Sequence, residues 1–118
     1  MGVARFEDLR VWQAAKAFSD EIGGLFHRGV LHHDVDLRRQ LNTASLSTMA
    51  NIAEGFVRAR HKEFAQFIRI ASGSNAEARA LLYAAEGRGY LSGPDLARLI
   101  EMTNKIGAML RTLEKQLT

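Results

Sequence analysis

Few residues of this 118-residue chain are typed and spaced for chemistry, and most of those lie between positions 38 and 69. Asn51 and Glu54 are three apart, so on a helix they share one face, with Arg58 a turn further on. As a ligand constellation they would offer an amide, a carboxylate and a guanidinium. As structure, Glu54 would pair with Arg58 or across a subunit contact, and Gly55 would let another helix approach; this structural reading is preferred. Glu54 has no second carboxylate at helical spacing, so acid and base chemistry by a carboxylate pair has no support. His32, His33, Asp34 and Asp36 could gather a metal, but adjacent loop histidines lack the fixed spacing of a metal motif, and a solvated loop is favoured. No serine is framed as a nucleophile. Gly23-Gly24 and Gly87-Arg88-Gly89 read as helix terminators rather than a phosphate loop. Zero cysteines exclude disulfides and thiolate sites. No catalytic group, metal or cofactor is expected.

The remaining candidate is charge. Twelve of the sixteen basic residues are arginine, and the net charge is +3. Residues 1–37 carry four basic and six acidic groups, residues 38–69 six and two, and residues 70–118 six and five. The middle third therefore holds the excess. Arg58, Arg60, His61, Lys62 and Arg69 span a predicted helix junction, with Arg38 and Arg39 as a possible extension. The planar guanidinium satisfies two phosphate oxygens at once and stays charged, so such a cluster suits a nucleic-acid backbone. An ordinary solvated helix junction accounts for it equally well. Phe64 and Phe67 follow core phase, so any contact is expected to be electrostatic rather than by base stacking.

These residues need elements to position them. Val11, Ala14, Ala15, Phe18, Ile22, Leu25 and Phe26 recur at helical spacing, with Asp8 as the start signal and Gly23-Gly24 weakening the last turn. His27 to Asp34 reads as a loop. Leu37, Leu41, Ala44, Thr48, Ile52 and Phe56 form a second stripe, widened by Leu46, Met49, Ala53 and Val57 beyond one face. That width predicts a helix covered on two sides, the second by a neighbouring subunit. A third helix is expected after Arg60, from Phe64, Phe67, Ile68, Ala71, Ser74, Ala78, Leu81, Leu82 and Ala85, ending at Gly87. Small residues from Ala71 to Ala78 predict a tight crossing there. Ser92-Gly93-Pro94-Asp95 reads as a cap opening a fourth helix that runs through Leu96, Leu99, Ile100, Thr103, Ile106, Leu110, Leu113 and Leu117. Nothing reads as a strand. Short connections predict an all-α, antiparallel up-down-up-down four-helix bundle forming a single domain over residues 1–118. No apolar run approaches the roughly 20 residues of a membrane span, and Met1 to Arg10 has no apolar signal segment, so a cytoplasmic address is expected.

A pattern across three of the predicted helices adds to this. Phe6-Glu7-Asp8-Leu9, Val11-Trp12, Leu37, Gln40-Leu41, Asn51-Ile52-Ala53-Glu54-Gly55, Arg58, Glu63-Phe64, Phe67, Ile70-Ala71, Gly73-Ser74, Glu77 and Gly89-Tyr90-Leu91 together resemble the four-helix bundle protein family, also called the 23S ribosomal RNA intervening-sequence protein family. Ala76 and Ala78, and Ser45-Leu46-Ser47, depart from its usual pattern. The resemblance implies a homopentameric barrel. It also implies kinship to the accessory protein of diversity-generating retroelements, which binds a reverse transcriptase and nucleic acid; it implies no catalysis. The expectation is thus a non-catalytic homo-oligomer that contacts RNA or DNA through its basic patch or serves as a scaffold. The alternative is a protein-binding adaptor that recruits an acidic or polymerase-like partner.

Overall fold

A computed structural model of the protein describes residues 2–58 and 60–118. After a 3-10 turn at Phe6–Asp8, four helices follow: α1 Arg10–His27, α2 Val35–Phe56, α3 His61–Gly87 and α4 Gly93–Leu117, with no strand among the described residues. Consecutive helices pack together and α4 closes on α1, while the backbones of the diagonal pairs stay apart among the described residues. Cross-helix pairs run in opposite senses along the α2–α3 and α3–α4 seams. Ser47 meets Ser74 while Gly55 meets Phe64 and Phe67, and Arg69 meets Glu114 while Asn75 meets Thr103. At the α1–α4 seam Glu21 meets Arg98, while Leu9 and Val11 share a recess with Met109 and Leu113, again in opposite senses. The helices therefore alternate in direction, as a bundle with short connections requires. The 27 residues of α3 account for about 40 Å at 1.5 Å per residue, close to the long dimension of 43 Å.

Each helix end has a local cause. Asp34 closes the N-terminus of α2, its carboxylate accepting the Leu37 amide at 3.1 Å. Ser92 does the same for α4 through the Asp95 amide at 3.2 Å, with Pro94 in the first turn where no donor is lost. The expectation for α1 needs correcting. Asp8 ends the 3-10 turn, and the residue before α1 is Leu9, which offers no side-chain cap. Packing fixes this end instead: Leu9 is buried, and Phe6 meets Trp12 edge-on at 5.1 Å. At its other end α1 runs unbroken through Gly23 and Gly24 to His27. Buried Leu25 and half-buried Phe26 hold that turn against the core. In the following loop Leu31 takes a left-handed φ of 68° while only 3% exposed, so burial offsets a conformation unfavourable to a non-glycine residue.

The core runs the length of the bundle and includes Phe18, Ile22, Leu41, Ile52, Ile68, Leu82, Leu99 and Leu110. Polar residues on its margin satisfy themselves locally, Thr48 donating to the Ala44 carbonyl and Ser45 to that of Asn42. The tight crossing lies elsewhere than the small residues of α3 suggest. Ala71 and Ala78 face the core, but Gly73 and Ala76 are exposed and a Cβ on Gly73 would meet nothing. The close approach is at Gly55, where a Cβ would stand 2.7 Å from Phe67 Cβ and 2.9 Å from Phe64 Cδ1. Met49 packs on the core, whereas Leu46, Ala50 and Val57 form an outward strip on α2 with half-buried Ala53 between them. Among the described residues little covers that strip: Leu46 is 46% exposed and Val57 65%.

Candidate nucleic-acid interface at the α2–α3 junction

The reversal from α2 to α3 is short because α2 stops at Phe56 and α3 starts at His61; of the junction, Ala59 lies outside the described residues. This turn presents Arg58, Arg60, His61 and Lys62, all exposed. Arg58 is firmly held. Its guanidinium bonds Glu54 at 2.6 Å, approaches Glu63 at 3.9 Å and lies over the Phe67 ring at 5.1 Å. Phe67 is thus half-buried on the α2–α3 seam under a cation rather than fully in the core. Arg60 and Lys62 carry no ion pair among the described residues. They are the junction's free cations.

Beneath them the polar cluster is structural in its contacts. Asn51 donates to the Ser47 carbonyl at 2.8 Å and to its hydroxyl at 3.0 Å, and that hydroxyl meets Ser74 at 2.8 Å across the seam. Glu54 is occupied by Arg58, and Gly55 supplies the close helix contact. The formal charge is modest: Arg58, Arg60 and Lys62 give three positive charges and Glu54 and Glu63 two negative, leaving +1.

The other candidates fall outside this group. Arg69 turns toward α4, where it bonds Glu114 at 3.1 Å. Arg38 and Arg39 do not extend the patch. They lie in the first turn of α2, with about 25 Å of continuous helix between them and the junction. There Arg38 donates to the His32 carbonyl at 3.1 Å and both arginines border a recess of about 420 Å³ beside Phe26.

At that far end His32, His33 and Asp34 have contacts of their own. His32 and His33 pack edge-on with ring centres 5.0 Å apart, and Asp34 bonds Arg88 at 2.9 Å besides capping α2. The Leu37 amide, opposed by partial desolvation and aided by Arg88 and Tyr90, holds the Asp34 carboxyl below its ordinary value. Among the described residues no three His, Asp or Glu side chains gather as a metal site, and no helix is long and apolar enough to cross a membrane. The sequence signals for Arg88 meeting Asp34, and for Phe67 meeting Arg58, were absent because both contacts join different elements.

Against curated proteins the sequence finds no match. Residues 7–112, which contain the junction, the seam cluster and nearly all of the four helices, match the model of the 23S rRNA-intervening sequence protein family. With an all-helical bundle to accompany a match of that span, the chain belongs to the 23S rRNA-intervening sequence protein family.

Proposed function

We propose that this protein is a non-catalytic scaffold that self-associates through the outer strip of α2 and offers its repeated α2–α3 junctions to a nucleic-acid backbone. The observation that carries this reading is the uncovered strip Leu46, Ala50, Ala53 and Val57, spaced four, three and four apart. That spacing keeps one face of a helix, the pattern a partner helix packs against. Ile70 adjoins it on α3 and is 52% exposed. It stands one turn from Ser74, at the level of Asn51. Water-exposed apolar side chains in register favour burial against a second copy.

The strip ends at Val57, one residue before Arg58. Association along it would therefore repeat the junction around the assembly, and a ring of copies, a pentamer by family resemblance, would turn a weak local charge into a continuous positive belt. Such a belt attracts phosphate by charge without reading sequence. Arg60 and Lys62 would make the contacts, while Arg58 would hold the turn in shape.

Light scattering on purified protein tests the assembly step. Leu46→Glu with Val57→Glu places charge in the strip and is expected to give monomers of unchanged helicity. An unchanged mass would contradict the role of this face.

A further inference from the structure

The outer strip of α2 has a counterpart across the bundle. At the α1–α4 seam Val3, Leu9, Val11, Met109 and Leu113 line an apolar recess of about 620 Å³. Leu9, Val11 and Leu113 are buried and form its floor, while Ala108 and Thr112 stand exposed at its rim. The helices follow one another around the core, so this seam lies opposite the α2–α3 seam, which the strip and Ile70 flank.

Height along the bundle matches as well. The Ser47–Ser74 and Asn75–Thr103 pairs put Ser47 and Thr103 at one level. From that level α2 and α4 run in the same direction, because the helices alternate. Leu46 stands at the level itself and Val57 about 15 Å beyond it, at 1.5 Å per residue. Met109 stands about 9 Å beyond the same level and Leu113 about 15 Å. Charge agrees with this register. Arg10, exposed at the recess, has no ion pair among the described residues and, counted from the Glu21–Arg98 pair, lies at the height of Met109. Glu54, beside the strip and still half-exposed under Arg58, lies about 10 Å beyond Ser47, close to that height. Shape favours the recess over a second strip. The strip is a convex row whose large side chains are Leu46 and Val57. Two such rows meet along a line, whereas a recess takes the side chains into itself and buries more apolar area for each.

We propose that the α1–α4 recess receives the α2 strip of a second copy of this chain. The contact rests on the strip being an interface, as read above, and names the surface that the strip meets. The two surfaces differ and lie on opposite sides at one height, so copies stand side by side and join head-to-tail. Each copy then keeps a strip free on one side and a recess free on the other until a ring closes. A strip packed on itself would stop at two copies.

The chain has no cysteine, so introduced thiols report the contact without background. Val57→Cys and Thr112→Cys place one thiol on the strip and one at the recess rim, at nearly equal heights. Treated with a short bismaleimide, each single variant should stay one chain on a denaturing gel. The two co-expressed should give covalent dimers, and the double variant a ladder reaching the mass of the native assembly. Linkage of Val57→Cys to itself would show strip meeting strip and overturn the proposal, as would an assembled mixture that gives no dimers. Light scattering supplies the second check. Ala108→Glu with Thr112→Glu, both exposed and outside the core, should lose the assembly at unchanged helicity. An unchanged mass for that variant, when Leu46→Glu with Val57→Glu gives monomers, would overturn the recess alone. An unchanged mass for both would overturn the strip reading with it.

Discussion

Two glycines of this bundle have opposite roles, and substituting each by alanine separates them. At Gly55 a methyl group would press on Phe67 Cβ at 2.7 Å and on the Phe64 ring. Overpacking costs about 1–3 kcal/mol, and the better helix propensity of alanine returns about 1 kcal/mol. Gly55→Ala should thus lower stability by about 1 kcal/mol, a fall of roughly 4 °C in melting temperature for a chain of this size. Gly73 sits exposed in mid-helix with open space beside it, so Gly73→Ala should stabilise by about 0.5–1 kcal/mol. Denaturant unfolding of both checks the pair of signs. The need for glycine at position 55 was legible from its place between apolar helix residues. That Gly73 is not needed for packing was not, because its neighbours in sequence are equally small. Asn75 carries a weaker signal that could have been read: it is a polar residue on the same phase as buried Ala71, Ala78 and Leu82.

Asp34 gives a prediction in pH at the same scale. Its folded carboxyl titrates below the ordinary 3.8, chiefly because the Leu37 amide and also Arg88 favour the charged form. The sign follows: its contribution is fully present above about pH 4 and is lost as pH falls through the lower folded value. Asp34→Asn keeps an N-cap acceptor but removes the charge. It should be less stable than the native protein at neutral pH, with the difference closing below the ordinary carboxyl value. A difference that persists at pH 2 would assign the effect to geometry rather than charge.

At the scale of elements, α2 is the helix whose sequence says most. Its 22 residues carry one stripe for the bundle, Leu37, Leu41, Ala44, Thr48 and Ile52, and a second through Leu46 and Val57. Both were legible because each keeps the helical period. Which stripe is covered was not, since that depends on the order of helices around the core. Met49 was grouped with the outer residues and instead packs inward, while Ala50 takes its place outside. The cap of α4 was read correctly because Ser92, Pro94 and Asp95 act within one turn; the start of α1 was misread because it is fixed by Phe6, Leu9 and Trp12, a tertiary contact. If the outer stripe is an interface, the glutamate substitutions at Leu46 and Val57 should also expose no new core: the helicity of the chain should be unchanged while the mass of the particle in solution falls to that of one chain.

At the scale of the whole molecule, the proposed role joins charge to assembly. Arg58 and Arg69 are neutralised inside the chain, and Arg38 and Arg39 lie at the opposite end, so one chain alone presents a weak footprint. The excess of basic residues over acidic ones in positions 38–69 suggested one patch with Arg38 and Arg39 as its extension; folding divides the six among the two ends and the α3–α4 seam. On the proposed reading, phosphate binding at the junction would therefore depend on copies arrayed side by side. The strip-breaking variant should lose nucleic-acid affinity although Arg60 and Lys62 remain intact.

The most direct measurement is the binding of labelled RNA and DNA to the native assembly across a salt series, repeated with Arg60→Glu and Lys62→Glu combined. Each neutralised phosphate contributes about −0.9 to the slope of log affinity against log salt for duplex DNA. Binding that weakens steeply with salt, and that the double substitution abolishes while light scattering shows the same mass, is the predicted result. Binding that ignores salt, or no binding at all at low salt by a protein that still assembles, would contradict the nucleic-acid role.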